Sequence, residues 1–286
     1  MRANILFCLI ALLLAACQSA GPGSSSVPSL AYAEARAQSD PRYAGLVIEV
    51  ESGEVLYAEN ADSRRHPASL AKMMTLYILF EELEAGRLNR RQAIAVSRHA
   101  ARQPPSKLGL KAGSSISVDD TVTAIAVRSA NDVAVAAAEA IAGSEEAFAR
   151  RMTERARALG MRSTVFRNAS GLPDPAMVTT ARDMAILARA MQTRFPRETR
   201  VFATKSFSRG GKRYESTNRL LGKLDGMDGM KTGYTRASGY NLAASVNRRG
   251  RRLIIVVMGE KSGAARDGHV AALAEEYLPG GLFAFR

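Results

Sequence analysis

Ser69 and Lys72 stand three residues apart in the segment Pro67-Ala68-Ser69-Leu70-Ala71-Lys72-Met73-Met74-Thr75, a spacing that puts both side chains on one face of a helix. The run Leu70 to Phe80 is nearly all apolar and predicts a buried helix, yet it carries a lysine in its first turn. Burial and the helix dipole both disfavour a cation there, and both lower its pKa. A neutral amine beside a hydroxyl can act as its base, so the pair predicts a serine nucleophile activated by lysine. At a helix N-terminus the backbone N–H of Ser69 also points where an oxyanion would develop. The plainer reading has Lys72 reaching the surface and Ser69 capping the helix. Against it, Ser69 is the only serine in the chain with lysine at that spacing.

Acyl transfer needs three further things: a proton donor to the leaving group, a grip on the substrate backbone and something to fix the substrate end. Ser129-Ala130-Asn131 falls between two predicted helices, on a loop able to face the Ser69 helix. Ser216-Thr217-Asn218 and Ser245-Val246-Asn247 repeat the pattern, but they fall along predicted strands. Lys231-Thr232-Gly233 leads into a predicted strand, and its competitor Lys261-Ser262-Gly263 ends one and precedes a helix. The former is favoured, because a strand edge opening at Gly233 lets an extended peptide add alongside while Lys231 and Thr232 supply charge and a hydroxyl.

These groups need a scaffold. Tyr43 to Val50, a turn at Ser52-Gly53 and Glu54 to Tyr57 predict two paired strands. Helices are expected over Ser69–Ala85, stopped at Gly86, and over 119–128, 132–142, 144–159 and 181–194. Strands follow at Val201–Phe207, Tyr214–Thr217, Gly233–Thr235, Asn241–Val246 and Arg252–Met258, the last two joined at Arg248-Arg249-Gly250, then a helix from about Ala264 to Tyr277. Strands at both ends with helices between predict an α+β fold. One antiparallel sheet is formed by both chain ends, a helical lobe of about residues 87–195 is inserted, and the site lies in the cleft between them. No internal repeat is present.

The composition fits this: 286 residues, 47% hydrophobic and 23% charged, exclude disorder, collagen-like repeats and a multi-span membrane protein. Lys and Arg number 40 against 27 Asp and Glu, a net +13 that attracts anionic partners. Two cysteines, Cys8 and Cys17, and three histidines cannot build a disulfide framework or a Cys/His metal cluster, so no metal is expected. Met1 to Asn4 and the apolar run Ile5 to Ala16 are too short to span a bilayer and read as a signal peptide, residues 1–16. Residues 17–41, rich in Gly, Ser, Pro and Ala, read as a flexible tether, and 42–286 as the folded domain. Leu14-Ala15-Ala16-Cys17 resembles the lipobox of bacterial lipoproteins, which makes Cys17 a candidate for acylation and membrane anchoring. The rival is a plain signal-peptidase cut nearby. Either removes Arg2 alone among the charges and leaves +12.

Ser-x-x-Lys, Ser-x-Asn and Lys-Thr-Gly in this order form the signature of penicillin-binding proteins and class A β-lactamases. Gly171-Leu172-Pro173-Asp174, Thr179-Thr180-Ala181-Arg182-Asp183-Met184-Ala185, and Thr217-Asn218-Arg219-Leu220 through Asp228-Gly229-Met230-Lys231-Thr232-Gly233-Tyr234-Thr235 extend the resemblance. Over roughly Tyr43 to Leu278 the chain resembles D-alanyl-D-alanine carboxypeptidases of the low-molecular-mass penicillin-binding class, which implies a β-lactamase/transpeptidase-like fold. The resemblance implies a serine-type hydrolase that removes the terminal D-alanine from peptidoglycan stem peptides through an acyl-Ser69 intermediate and is acylated by β-lactams. Ser69 would be the nucleophile and Lys72 its base; Ser129 would relay a proton to the leaving amine, and Asn131 would hold the substrate amide and Lys72. Lys231 and Thr232 would bind the terminal carboxylate, and the backbone N–H groups of Ser69 and Tyr234 would form the oxyanion hole. Arg266 resembles a family arginine that approaches the same carboxylate, the alternative being a surface arginine. No organic cofactor is implied.

Ala130 stands where the family usually has Gly. The chain ends about 50 residues after Gly233, leaving no room for the β-rich C-terminal domain and terminal membrane helix of many relatives. No Glu occurs between Glu154 and Glu198, where a class A β-lactamase needs a deacylating carboxylate, so slow release of a penicilloyl group is expected. Two alternatives stay open: a DD-endopeptidase cutting crosslinks, and a non-catalytic basic binder of cell-wall polyanion. The second does not explain a lysine in an apolar helix. An exported location, periplasmic or on the extracytoplasmic membrane face, makes nucleic acid an unexpected partner.

Overall fold

The computed structural model describes residues 42–280. The expected signal segment, the tether and Cys17 lie outside them. In chain order the elements begin with strands β1 (Ala44–Glu49) and β2 (Val55–Glu59), then a 3-10 turn (Ala68–Ala71) leading into helix α1 (Lys72–Glu84). Strand β3 (Ala93–Ala95), α2 (Arg98–Ala101), β4 (Ser115–Ser117) and α3 (Val118–Thr123) follow, the last widening into a π-helical turn over Ala124–Arg128. Helices α4 (Asn131–Ala142), α5 (Glu145–Ala158) and α6 (Ala181–Arg194) complete the lobe. After a 3-10 segment (Glu198–Ala203) come β5 (Ser206–Arg209), β6 (Lys212–Glu215), β7 (Met227–Thr235), β8 (Gly239–Arg248), β9 (Arg251–Glu260) and α7 (Gly263–Tyr277).

The main sheet has the order β2-β1-β9-β8-β7, all antiparallel, with β1 registered on β9 from Ala44 opposite Met258 to Glu49 opposite Leu253. Successive strand side chains face opposite ways. Ile254, Val256 and Met258 therefore join the core shared with α1 and the helical lobe, while Leu253, Ile255 and Val257 pack under α7 with Val270 and Leu273. Both faces are covered, which is why Leu253–Met258 is an unbroken apolar run rather than an alternating one.

Helix α1 crosses the middle of the molecule and packs on α4, α5 and α6. It is buried from Lys72 to Glu82 and closes at Gly86, whose φ of +68° suits glycine after a helix end. Glu82, in its last turn, is bound by Arg87 through two bonds of 2.6 and 2.9 Å and also by Arg151. Ser117, Ser144, Thr180 and Ser262 cap α3, α5, α6 and α7.

Several boundaries differ from expectation. Residues 201–203 are not strand: after Pro196 the chain turns through Glu198–Ala203, Thr199 Oγ1 donates to Phe195 O at 3.1 Å, and Phe202 is buried. The strand there is Ser206–Arg209. Strand β7 begins at Met227, six residues before Gly233, and the short β3, α2 and β4 were not expected at all.

Candidate active site

Ser69 lies in the 3-10 turn before α1, and three elements press on that turn. Ala68 has φ +47°, the left-handed region that a non-glycine residue seldom occupies. Gly171, φ +79°, lies against it so closely that a Cβ would sit 1.8 Å from Ala68 O. From β7, Gly233 approaches to where a Cβ would be 3.1 Å from the Ser69 nitrogen. Asn241 of β8, fully buried, donates to His66 O and Pro67 O at 3.2 and 3.3 Å and accepts from Gly259 N at 2.9 Å. The Ser69 turn is thus mounted on the sheet and wedged by backbone from the helical lobe.

Lys72 has no exposed surface, and its Nζ bonds Ser69 Oγ at 3.0 Å, Asn131 Oδ1 at 2.7 Å and Ser170 O at 2.5 Å. Burial, with Lys231 adding repulsion, holds the amine well below the usual lysine range, against the pull of Asp132 and Glu145. An amide oxygen and a backbone carbonyl can only accept. When Lys72 is neutral, its two hydrogens therefore satisfy Asn131 and Ser170, and its lone pair is left for the one partner able to donate, the Ser69 hydroxyl. That arrangement has the chemistry a general base needs toward a hydroxyl nucleophile. The Ser170 carbonyl is set by Asn168 Oδ1, which accepts from Ser170, Gly171 and Leu172 N–H, and by Thr75 Oγ1, which donates to Ala169 O at 2.7 Å.

Across the cleft, the π-helical turn ends with Ser129 in the left-handed region, φ +61° and ψ +36°, and its buried Oγ has no hydrogen-bond partner. A widened turn and a strained residue at one point are features that concentrate at functional sites. Asn131 is oriented at both ends of its amide, Oδ1 on Lys72 and Nδ2 donating to Pro104 O at 2.8 Å. Next to it the buried Asp132 accepts from Leu108, Gly109 and Leu110 N–H at 3.0, 2.8 and 3.1 Å and from Val133 N–H at 3.0 Å. It thereby fixes the loop whose Pro105 and Ser106 wall the cleft.

The other wall is the β7 edge. Lys231 is fully buried, donates to Thr232 O at 3.0 Å, and burial beside the Arg266 charge brings its pKa down to about 7. Thr232 Oγ1 donates to Thr217 Oγ1 at 2.7 Å. Arg266, 5% exposed, lines the cleft and is braced on Asp267 Oδ1 at 2.9 and 2.6 Å, so it is not a surface arginine. Tyr234 is 54% exposed and stacks on Tyr240 with centroids 4.2 Å apart, forming the rim. The cleft, about 490 Å³, brings Ser69, Ser129, Asn131, Thr232, Gly233, Tyr234 and Arg266 to one space, with Lys72 and Lys231 directly behind its walls. No group of His, Cys, Asp and Glu able to hold a metal occurs among the described residues.

Two placements differ from the sequence reading. Lys231 and Thr232 are inside β7, not ahead of a strand. Ser216-Thr217-Asn218 is not on a strand, since β6 ends at Glu215; it is the loop that carries Thr217 to the Thr232 hydroxyl. Ser245-Val246-Asn247 does lie on β8, its serine accepting from Arg252 at 2.8 Å, and Ser262 of the Lys261 triplet is the α7 cap. The reading missed Thr217, Ser170, Asp132 and the exposed Arg219 at the cleft edge. For Ser170 the only signal was a Gly/Pro-rich loop following an asparagine.

The family model described as peptidase S11, D-alanyl-D-alanine carboxypeptidase, matches residues 33–262. D-alanyl-D-alanine carboxypeptidase DacF of Bacillus subtilis is 35% identical over 235 residues, covering 80% of this chain and 60% of its own length. DacC of Escherichia coli is 37% identical over 230 residues, covering 78% and 58%. The chain thus spans about 60% of the length of these curated relatives. Among solved structures, DacD of Francisella tularensis superposes with a TM-score of 0.78 at 35% identity, covering 80% of this chain and 68% of that one. Penicillin-binding protein 5 of Haemophilus influenzae gives 0.79 at 33%, covering 82% and 69%.

Proposed function

The chain belongs to the D-alanyl-D-alanine carboxypeptidase family of serine peptidases, and on that premise we propose that it removes the terminal D-alanine from peptidoglycan stem peptides. The observation that carries this is the bonding of Lys72, which leaves its lone pair only the Ser69 hydroxyl as a donor. The substrate lies along β7 with its carboxylate toward Lys231, Thr232 and Arg266. As that anion enters, it draws Lys231 back to the ammonium form. Ser69 Oγ attacks the penultimate carbonyl, Lys72 takes the hydroxyl proton, and the N–H groups of Ser69 and Tyr234 hold the oxyanion. The C–N bond breaks as Ser129, whose hydroxyl has no competing partner, gives its proton to the departing D-alanine nitrogen and takes in its place the proton held by Lys72, which is left neutral again. Water then attacks the Ser69 ester with Lys72 again as base, releasing the shortened peptide and restoring the serine.

A β-lactam presents the same carboxylate and a reactive carbonyl, so it acylates Ser69. Residues 155–197 offer no glutamate, and Ser170 turns a carbonyl toward Lys72, which supports a long-lived adduct. Intact-mass measurement with a penicillin, then peptide mapping, should find one adduct on Ser69, absent in Ser69→Ala. A folded protein with no adduct would end this reading. Crosslinked muropeptide dimers assayed beside monomeric pentapeptide separate carboxypeptidase from endopeptidase action. We also propose export by residues 1–16 and acylation of Cys17 as the membrane anchor. No helix among the described residues is long and apolar enough to cross a membrane, and mass spectrometry of the mature N-terminus tests the lipid.

A further inference from the structure

Glu145 opens α5, does not line the cleft and has no part in the steps above. Its side chain is only 11% exposed, and both carboxylate oxygens are engaged: Oε1 accepts from Ala169 N–H at 3.0 Å and Oε2 from His99 Nε2 at 2.8 Å. We propose that Glu145 is a positioning residue for the base at Lys72: it fixes the strap that aims the Ser170 carbonyl at that amine, and its negative charge steadies the ammonium formed when Lys72 takes the serine proton. This rests on the Ser69–Lys72 acyl-transfer reading and deepens it.

The strap is Asn168–Leu172, and its upstream end is Ala169, a buried residue held at both of its peptide groups. The Ala169 N–H goes to Glu145 of α5, its carbonyl accepts from Thr75 of α1, and the next carbonyl along, that of Ser170, accepts from Lys72. Asn168 Oδ1 gathers the N–H groups that follow, from Ser170 to Leu172. Three side chains thus hold the strap, and among them only Glu145 brings a charge. Losing its bond frees the peptide that precedes Ala169, one residue from the carbonyl on Lys72 and two from the glycine wedged against Ala68.

A backbone N–H needs an acceptor, not an ion. An amide or a hydroxyl would serve it, and a largely buried carboxylate costs more to desolvate than either. What the carboxylate adds is its sign. Lys72 is faced by Lys231 of β7, which disfavours its ammonium form, and by Asp132 of α4 and Glu145 of α5, which favour it. Glu145 is itself in contact with His99 of α2, and the other charges at that end of α5 are Glu146 and Arg150. An amine driven far down by burial is readily neutral but a poor proton acceptor. Glu145 returns part of that affinity at the atom that must receive the Ser69 proton, while its bond to Ala169 keeps the Ser170 carbonyl in place to accept from the ammonium.

The test follows acylation by a fluorescent penicillin against pH in the full chain. Glu145→Gln keeps an oxygen for Ala169 N–H and removes the charge. The rise of rate with pH should move to lower pH while the plateau falls about threefold, because a weaker base is easier to deprotonate and slower to take the proton. A purely structural Glu145 would lower the rate without moving the rise. Glu145→Ala also drops the strap and should acylate about 10–100-fold more slowly. Glu146→Gln removes a charge one residue along that has no bond to the strap, and should change neither rise nor plateau. His99→Gln keeps a donor and removes the titrating group in contact with Glu145, so the rise should persist. An unmoved rise in Glu145→Gln, a rise that vanishes in His99→Gln, or a folded Glu145→Ala within threefold of wild type overturns the inference; if Glu145→Ala does not fold, the glutamine profile decides. No adduct on Ser69 in the wild-type chain sinks the acyl-transfer reading as well, whereas an adduct with an unmoved rise sinks only the role of Glu145.

Discussion

Substituting Gly171 by alanine tests how the nucleophile is held. The new Cβ would stand 1.8 Å from Ala68 O, 2.4 Å from Ala68 C and 3.0 Å from the Ser69 nitrogen, all backbone atoms that cannot swing aside. An unstrained C···O contact is about 3.3 Å, so the two segments must part by about 1.5 Å. The left-handed φ of +79° adds about 1–2 kcal/mol for a residue with a Cβ, and overpacking about 1–3 kcal/mol more. Destabilisation of about 2–5 kcal/mol is expected, well beyond a surface change. Because an error of about 1 Å in a reacting group can cost 10²-fold, acylation by a fluorescent penicillin, followed by stopped flow on protein verified as folded, should slow at least 100-fold. Gly113→Ala is the control, since φ is +81° there but nothing lies within 4 Å: it carries the conformational cost without the displacement. Gly233→Ala, with contacts of 3.1 Å and ordinary φ, should fall between them at about tenfold, the neighbouring backbone giving way by tenths of an ångström. Should Gly171→Ala acylate within threefold of wild type, or lose no more than Gly113→Ala, the wedge is not what positions Ser69.

Acylation against pH should be bell-shaped, rising as Lys72 loses its proton and falling as Lys231 loses its charge through about pH 7. A reactive ester lacking the carboxylate should keep the rise and lack the fall; a fall for both would place the second group elsewhere. Lys231 is depressed on folding, so its cost is full below pH 7 and vanishes toward pH 10.5, and Lys231→Met should raise the unfolding free energy at pH 6, by at most about 5 kcal/mol, while abolishing turnover. Glu82, held down to about 2 by Arg87 and Arg151, contributes stability that is complete above about pH 4.5 and is lost as pH falls through 2. Glu82→Gln should cost about 3 kcal/mol at pH 7 in urea unfolding and only about 0.4 kcal/mol at pH 2. Asp132→Asn turns an NH2 group onto backbone donors, which should cost about 1–3 kcal/mol and raise proteolysis of the 104–111 loop in a limited-digestion assay.

What was legible in the sequence followed from local chemistry. A lysine in an apolar helix three residues after a serine announces itself because both signals lie in one turn. The closure of the sheet by both chain ends was likewise readable, from apolar runs at 44–50 and 252–258. Less legible were features set by distant contacts. Ser170 meets Lys72 across 98 residues of sequence, and its carbonyl is a group every residue has. Thr217 looked like part of a rival triplet because Tyr214 to Thr217 alternates as a strand does. Strand β7 was cut short at Gly233 because Asp228 and Gly229 are poor strand formers, and only pairing with β8 holds Met227–Met230 extended. Val201 and Phe202 have strand-like side chains, but tertiary burial of Phe202 won over that preference.

The sheet order has a consequence for synthesis. Strand β1 lies between β2 and β9, and β9 also carries β8, to which the cleft-lining edge β7 is bonded. Until residues 251–260 emerge, the sheet is two separate pairs, and the Asn241 that holds the Ser69 turn has neither Gly259 nor the neighbouring strand behind it. Contacts spanning about 200 residues form slowly and late. A nascent chain therefore carries its serine and lysine long before it carries the assembled Ser69 turn, and covalent labelling by penicillin, if it occurs as proposed, should read out completion of the last strand as much as the presence of Ser69.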